Sequence, residues 1–391
     1  MFLVVANTYD PEIFGLGFLE KEPSKFECKN DDEWKDCTKE DICDQNLDQD
    51  HYRAVASDDI WDETIDNWVS PDKFNLLCEP KWKIGLLGSF FFIGVVATML
   101  VIPPLSDAYG RRVIFLIVLL ISIIAQFGLL VTKSIYEAYV FQFLNGTTFT
   151  GKVVVGLNYL IEYSIGENQK RACTLFYISE AISLILITAW YQFVDRHWFL
   201  LQLILLILII LAAIYYFAVV KESPKWLYTW KRYDESRNVL KYVAKFNQNP
   251  KMQIDAIDKL KFDTEILEAD EMSKKSKSSH HIDDMPQSQY VLNICKMTVF
   301  WTASSFSFYM LQGMTKQFEG SLYINFYLDA LAGIIACIIA PFLYDWLKMK
   351  IAFITSISLT LVFGILLVLF QEQVFSSEWV GGDSGYPEGS K

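Results

Sequence analysis

The chain alternates between long apolar runs and short polar connections. Residues 1–18 are apolar, but Asp10-Pro11-Glu12 interrupts them, and they lack the basic start and small-residue cleavage site of a signal peptide. Eight later runs reach about twenty residues, the length with which an α-helix crosses ~30 Å of hydrocarbon. They lie at 84–106, 113–133, 136–163, 172–194, 198–220, 294–314, 322–344 and 350–371. The pattern predicts an all-α membrane protein with an incomplete first span and eight further spans.

The composition agrees with this prediction. Of 391 residues, 52 % are hydrophobic and 15 % aromatic, which exceeds the range of ordinary soluble domains. The formal net charge of −12 disfavours nucleic acid as a partner, because domains that bind nucleic acid carry basic patches. We therefore expect membrane lipid to be the main surrounding of the chain.

The distribution of charge predicts the orientation. Residues 19–81 carry 19 acidic and 8 basic side chains, which is nearly all of the net negative charge. The basic pairs at 111–112 and 170–171, and the stretch 221–251 with eight basic and three acidic residues, all fall in alternate connections. Basic connections stay on the cytoplasmic side of a membrane. We call that side, or its topological equivalent, the inner side, and the side of the acidic loop the outer side.

The same patterns divide the chain into segments. Ser223-Pro224 predicts a helix start, with Ser as cap and Pro in the first turn, and the apolar and basic positions that follow predict an amphipathic helix on the inner face. The polar stretch 271–289 predicts a linker, whose His280-His281 and Asp283-Asp284 we interpret as solvated surface rather than a metal site. The predicted segments are 1–18 (incomplete first helix), 19–82 (acidic outer loop), 83–220 (helices 2–6), 221–293 (inner helix and linker), 294–371 (helices 7–9) and 372–391 (polar tail).

The acidic outer loop holds four of the seven cysteines, Cys28, Cys37, Cys43 and Cys78. An even number of cysteines in a loop outside the cytoplasm is typical of two disulfides, and all three pairings remain open. The alternative is free thiols or metal ligands in a reducing compartment.

Two inner connections share a pattern. PPLSDAYGRR at 103–112 and PFLYDWLKMK at 341–350 both place Pro-x-x-x-Asp between two apolar runs. They join the second span to the third and the eighth to the ninth. Corresponding positions indicate an internal repeat, and many secondary transporters are built from such repeats.

The first of these hairpins resembles the signature of the major facilitator superfamily, Gly-x-x-x-Asp-Arg-x-Gly-Arg-Arg. Asp107, Gly110, Arg111 and Arg112 keep this signature, while its first Gly and first Arg are replaced. The resemblance implies that the carboxylate and the arginines form an inner gate of charged hydrogen bonds that break and form again. The alternative is a helix turn anchored by arginines on the positive side.

Further segments are similar to the organic cation and anion transporter branch of this family. They are KESPKWL at 221–227, WTASSFSFY at 301–309 and YINF at 323–326. In this resemblance Glu162 matches a family carboxylate that joins the gate, and Asp345 keeps the acidic position of the second hairpin. The sequence departs from the family at Gln142, where relatives have Arg, and at Gly333, where this branch has Glu. Relatives have twelve helices, so we expect a truncated bundle with a six-helix amino-terminal half and three helices of the carboxy-terminal half.

Ionisable residues inside spans cost several kcal/mol unless they are paired or hydrated. Lys152 and Glu180 lie at similar depths in the fourth and fifth spans, so we predict that they pair inside the amino-terminal bundle. The pair either attracts an anion into a cavity or locks two helices together. In the last three spans, polar groups without partner helices in this chain are expected to contact helices of a partner protein or of a second copy, with Asn325 or Asp329 hydrogen-bonded across the contact. The other polar residues of this set are Ser304, Ser305, Ser307 and Gln312.

These features lead to two function hypotheses. The favoured one is an accessory or structural subunit of a larger membrane complex, with an incomplete transport core, in an organelle membrane such as the inner mitochondrial membrane. The alternative is an active secondary transporter of small organic ions in the plasma membrane, of which this sequence is a truncated part or which another chain completes. An enzyme is disfavoured because the common catalytic and nucleotide-binding motifs are missing. No cofactor and no metal are expected, and the substrate stays open.

Overall fold

The computed structural model describes residues 15–23, 25–30, 33–44, 51–55, 67–70, 73–164, 166–246, 257, 287–315, 321–347 and 349–381. The predicted first span lies mostly outside these residues, as do most of the linker and its histidine and aspartate pairs. Among the described residues, five helices are long and apolar enough to cross a membrane, at 81–99, 111–131, 168–193, 198–219 and 322–343. The predicted all-α membrane class is confirmed.

A small domain on the outer side contains the only strands among the described residues. It comprises α1 (Leu16–Leu19), β1 (Lys25–Asn30), β2 (Glu33–Cys37), α2 (Lys39–Asp44) and β3 (Tyr52–Val55). The strands form an antiparallel sheet in the order β2-β1-β3, in which Phe26 lies opposite Cys37. The two predicted disulfides are confirmed, as Cys28–Cys37 and Cys43–Cys78. The sheet itself was not predicted.

The amino-terminal bundle consists of helices joined by short turns. They are α3 (Lys81–Met99), α4 (Ile102–Tyr109), α5 (Arg111–Val131), α6 (Ile135–Thr150), a π-helical turn (Gly151–Val155), α7 (Gly156–Tyr163), α8 (Glu167–Phe193) and α9 (Trp198–Val219). The span predicted at 84–106 is two helices, because Pro103 and Pro104 lie at the start of α4, where their missing N–H groups cost nothing. A side chain at Gly146 would overlap the backbone of Phe91. Glycine therefore lets α6 cross α3 at close range.

The remaining helices lie on the inner face and in the carboxy-terminal part. They are α10 (Pro224–Thr229), α11 (Tyr233–Phe246), α12 (Gln287–Met314), α13 (Leu322–Trp346) and α14 (Met349–Gly381). The predicted start of α10 is confirmed, since the Ser223 hydroxyl accepts a hydrogen bond from the Trp226 N–H at 3.2 Å. The helix α14 extends to Gly381, past the predicted boundary at 371.

An aromatic cluster joins the outer domain to both halves. Phe18 of α1 stacks on Tyr191 of α8 and on Phe326 of α13, with ring centroids 5.0 and 4.5 Å apart. All three rings are buried. The outer ends of these elements are therefore packed together, whereas those side chains of α12 and α14 whose exposure is described are mostly exposed.

Candidate functional site

Arg111 lies at the start of α5 and connects three elements at the inner end of the amino-terminal bundle. Its Nη2 atom lies 2.8 Å from Asp107 Oδ1 of α4 and 3.0 Å from Glu162 Oε1 of α7. Its Nη1 atom donates to the Ser106 carbonyl oxygen at 3.0 Å. Arg111 and Glu162 are only 13 % and 11 % exposed, so their pair is shielded from water, whereas Asp107 is 69 % exposed and its pair is hydrated.

Glu222 completes this cluster from the segment before α10. Its Oε1 atom accepts hydrogen bonds from the backbone N–H groups of Arg111 at 2.9 Å and Arg112 at 3.1 Å. These amides belong to the first turn of α5, where the helix carries a partial positive charge and binds anions. Gly110 permits the approach, because its φ is +102° and an added Cβ would lie 2.5 Å from Glu222 Oε2. We name Asp107, Arg111, Glu162 and Glu222 the inner cluster.

Hydrogen bonds from aromatic side chains hold α10 against this cluster. The indole N–H groups of Trp226 and Trp230 both donate to the Asp107 carbonyl oxygen, at 2.7 and 3.1 Å. The Tyr163 hydroxyl of α7 donates to the Lys221 carbonyl oxygen at 2.9 Å. The inner ends of α4, α5, α7 and α10 are therefore tied to one another, and none can move far without breaking several of these bonds.

The structure places the other predicted gate residues at the edge of the inner cluster or outside it. Arg112 contributes its backbone N–H to Glu222, while its Nη2 atom donates to the Phe217 carbonyl oxygen of α9 at 2.9 Å. Asp345 of the second hairpin lies 2.9 Å from Lys170 Nζ of α8, in a pair whose side chains are 60 % and 45 % exposed. That pair connects the two halves on the inner side.

Sequence reasoning missed the part that Glu222 plays. The segment KESPKWL resembles a family motif, and its Ser and Pro predict a helix start, but the sequence predicts no contact for its glutamate. The available signal was an acidic residue directly before a helix cap in a strongly basic stretch. Its partners are backbone amides 110 residues earlier in the chain, which no local pattern reveals.

The opposite end of α5 is also bound by a charge from a distant segment. The Lys73 Nζ atom donates to the carbonyl oxygens of Leu129 at 2.5 Å and Thr132 at 2.8 Å, at the carboxyl end of α5. It lies 4.3 Å from the centroid of the Trp198 ring, and the residue is 4 % exposed. Burial, with a smaller contribution from Lys133, lowers the pKa of Lys73 to about 8. The ammonium complements the partial negative charge of the helix end.

Lys152 lies in the π-helical turn between α6 and α7 and is fully buried, while Glu180 on α8 is partly buried. Their pairing stays a prediction. Asn145 and Gln142 lie about two and about three helical turns before Lys152 on α6, and both are fully buried. Their amide groups have no hydrogen-bond partner among the described residues. Lys152 therefore lies near the end of a buried polar stretch of α6.

The structure corrects one expectation for the carboxy-terminal part. Asp329 was predicted to lack a partner within the chain, but its Oδ2 atom accepts a hydrogen bond from Gln312 Nε2 of α12. The hydroxyl of Ser307 donates to the Ala303 carbonyl oxygen of its own helix at 2.9 Å. Asn325 is partly buried in α13. Neither Asp329 nor Ser307 therefore requires a second protein to satisfy it.

Among the described residues, no group of three His, Cys, Asp or Glu side chains is arranged to hold a metal ion. Lys, Arg, Asp and Glu instead form the pairs described above. The chemistry that this arrangement offers is the making and breaking of charged hydrogen bonds between helices.

The comparison with known proteins identifies the family. The family model of the Major Facilitator Superfamily matches residues 81–381. The chain belongs to this superfamily. The predicted resemblance to its organic cation and anion transporter branch is confirmed, as is the predicted fold class, an incomplete major-facilitator bundle.

The chain is similar in sequence to animal transporters and, more weakly, in structure to a bacterial one. The human "Organic cation/carnitine transporter 2" is 23 % identical over 314 residues, which cover 77 % of this chain and 53 % of the relative. The mouse "Solute carrier family 22 member 14" is 31 % identical over 192 residues, or 46 % of this chain and 30 % of the relative. The inward-open xylose transporter XylE from E. coli has a TM-score of 0.45 and 12 % identity, and the match covers 88 % of this chain and 67 % of XylE. The chain spans about half the length of the human transporter.

Proposed function

We propose that this multi-pass membrane protein works in the transport of small organic ions, with the inner cluster as a gate. The observation that supports the proposal best is the position of Glu222, whose carboxylate binds the first turn of α5 next to the pair of Arg111 and Glu162. A gate needs contacts that are strong enough to close the transport path. The groups that make these contacts must also be able to bind water when the gate opens. Charged hydrogen bonds at a partly hydrated surface have both properties.

The geometry suggests how such a gate opens. Moving α10 away from α5 breaks the hydrogen bonds of Glu222 to the backbone amides of Arg111 and Arg112. The same movement removes the indole groups of Trp226 and Trp230 from Asp107. Water then hydrates the freed carboxylate and amides, which offsets part of the lost hydrogen-bond energy. The contacts of Arg111 with Asp107 and Glu162 still hold α4 to α7 and are the next to break. Alternating access requires such a cycle of closing and opening.

The test is uptake by the purified chain in liposomes, with radiolabelled tetraethylammonium and carnitine as probes. We expect uptake above that of protein-free liposomes, and we expect Glu222→Gln to lower the initial rate at least tenfold. Glu235→Gln is the matched control, because Glu235 forms an exposed pair with Arg232 on the same inner face. Uptake equal to that of empty liposomes, or an unchanged rate in Glu222→Gln at equal reconstitution, would contradict the proposal.

A second candidate function is the accessory subunit of a larger membrane assembly. The exposed aromatic side chains of α12 favour it, with Trp301 at 66 % and Phe306 at 69 % exposure, because such residues are enriched in the cores of protein interfaces. Purification in mild detergent tests it: stable co-purification of the same membrane proteins supports this function, and a monodisperse single chain opposes it. The transport proposal places the chain in the plasma membrane, and the accessory proposal places it in the inner mitochondrial membrane.

A further inference from the structure

The inner end of α9 brings together side chains from α5, from α11 and from the segment after α9. The Arg112 Nη2 atom of α5 donates to the Phe217 carbonyl oxygen at 2.9 Å, and the Tyr242 hydroxyl of α11 donates to the Val219 carbonyl oxygen at 3.2 Å. The Lys221 Nζ atom lies 5.5 Å from the centroid of the Tyr242 ring. Arg112, Lys221 and Tyr242 are therefore neighbours around one helix end.

This helix end lies at the inner boundary of the membrane. α9 is one of the five described helices that are long and apolar enough to span, and it ends at Val219. Phe217, in its last turn, is 68 % exposed, so its ring is open to the lipid that surrounds a spanning helix. Lys221 follows directly after the apolar run, at the depth of the lipid headgroups, where lysines place their ammonium groups.

The charge around this helix end is positive. Both acidic residues of α11 lie in its first turn and pair with arginines three residues away. From residue 238 to its end, α11 carries only two charged residues, Lys241 and Lys245. Glu222, which follows Lys221 in the sequence, uses its carboxylate to accept hydrogen bonds from the first turn of α5. The positive charges of Lys221, Lys245 and Arg112 thus exceed the negative charge nearby.

The exposed side of the second half of α11 is both basic and aromatic. Tyr242 and Phe246 lie one turn apart and are 38 % and 69 % exposed. Lys245, also exposed, lies next to Tyr242 on the same side, because residues three apart are neighbours on a helix surface. Ala244, on the opposite side, is buried. A helix with one buried side and an exposed side of lysines and aromatic rings fits the boundary between acyl chains and headgroups.

We propose that the inner ends of α5, α9 and α11 bind the headgroup of an anionic phospholipid in the inner leaflet. We name Arg112, Lys221, Tyr242, Lys245 and Phe246 the lipid seam. The cationic groups of Arg112, Lys221 and Lys245 attract the phosphate, and the exposed rings contact the first methylene groups of the acyl chains. Basic pockets at the inner ends of spanning helices bind such headgroups.

Two related ligands fit the lipid seam less well. Phosphatidylcholine offers the same phosphate, but its trimethylammonium group cancels the charge and is repelled by the lysines. A soluble phosphate leaves the rings of Tyr242 and Phe246 in contact with water. The lipid seam is separate from the transport proposal, because lipid binding is measured without uptake.

The experiment is native mass spectrometry of the purified chain in mild detergent, titrated separately with dioleoylphosphatidylglycerol and dioleoylphosphatidylcholine. We expect the first phosphatidylglycerol to bind at least fivefold more tightly than the first phosphatidylcholine. The double variant Lys221→Gln/Lys245→Gln should lower this preference at least threefold and leave phosphatidylcholine binding unchanged. Lys225→Gln/Lys231→Gln is the matched control, because it removes two exposed positive charges from the inner face outside the lipid seam.

Equal affinity of the wild type for the two lipids overturns the proposal. An equal loss of preference in both double variants also overturns it, because the effect then follows net charge alone. Lys245→Glu changes the net charge as much as either double variant does, at one exposed position, and retention of the wild-type preference in this variant counts against the lipid seam. Gel filtration and unchanged phosphatidylcholine binding establish that the variants are folded.

A competitor separates lipid from soluble phosphate. Glycerol 3-phosphate carries the phosphate of the headgroup without acyl chains, and we expect a tenfold excess of it to leave phosphatidylglycerol bound. Displacement of the lipid would assign these residues to a soluble phosphate and overturn the lipid proposal. Failure of liposome uptake would remove the transport function and leave the lipid seam in place.

Discussion

The helices α5 and α14 begin at the two related hairpins, but their ends are held differently. The first turn of α5 binds the carboxylate of Glu222, and its last carbonyl groups bind the ammonium of Lys73. Both charges come from distant segments, and Lys73 is buried while Glu222 is partly buried. α14 has no acidic residue in its first turn, and the aspartate of its hairpin, Asp345, forms an exposed pair with Lys170.

The difference shows that the same sequence motif can contribute different amounts to stability at its two positions in the chain. Charges that complement a helix end contribute ~0.3–1 kcal/mol when exposed and up to ~2 kcal/mol when partly buried. Exposed ion pairs contribute only ~0–1 kcal/mol. We therefore expect substitutions around α5 to affect stability far more than the corresponding change at Asp345.

The largest expected effect is that of Gly110→Ala. The φ of +102° is accessible to glycine, and forcing an alanine into it costs ~1–3 kcal/mol. The new Cβ also displaces Glu222 from the amides of α5. We expect the free energy of unfolding in mixed micelles to fall by roughly 3 kcal/mol, given that charged hydrogen bonds contribute ~1.5–3 kcal/mol each. Gly313→Ala, with open space around it, should have little effect, and equal losses in both variants would contradict the account.

The next effect is that of Glu222→Gln. The amide side chain keeps the shape but removes the charge that faces the first turn of α5, so we expect a loss of about 1–2 kcal/mol in the same unfolding measurement. Glu235→Gln, in an exposed pair with Arg232, should change stability by less than ~0.5 kcal/mol. The comparison fails if the two glutamate variants are equally stable.

Lys73→Met tests the outer end of α5 and has a defined pH dependence. Burial lowers the pKa of Lys73 to about 8 in the folded protein, whereas an unfolded lysine titrates near ~10.4. Between these values the unfolded chain binds more protons than the folded chain, so the contribution of Lys73 to stability rises with pH across this window and is constant below it. We expect the difference in melting temperature between wild type and Lys73→Met to grow from pH 8 to pH 10. Lys35→Met, at an exposed position, should show no such trend.

The smallest effect is expected for Asp345→Asn. Its partner Lys170 is 45 % exposed, so the loss should stay below ~0.5 kcal/mol. A thermal melt at 0.05 and 0.5 M salt measures it, and the small difference should vanish at high salt. If Asp345→Asn destabilises the chain as much as Glu222→Gln does, the two hairpins are equivalent and the comparison above is wrong.

Apolar runs predicted the spanning helices well. Lipid offers no hydrogen bonds to the backbone, and a helix satisfies its own N–H and C=O groups. The break between α3 and α4 could have been predicted from Pro103-Pro104, but the continuous apolar run concealed it. The outer sheet was not predictable in the same way, because its strands are short and β2 is charged and mostly exposed. Two disulfides were predictable from the number of cysteines, whereas their pairing depends on which segments fold next to each other.

The sequence by itself determined the membrane class, the family, the positions of five spanning helices, and the start of α10 at Ser223. Each of these follows from composition or from contacts within a few residues. Only the tertiary structure decided that Glu222 binds the amides of α5, that Lys73 binds its last carbonyls, and that Arg112 and Tyr242 meet at the inner end of α9. The physical reason is that these features join groups separated by tens to hundreds of residues, whose distances depend on how whole helices pack.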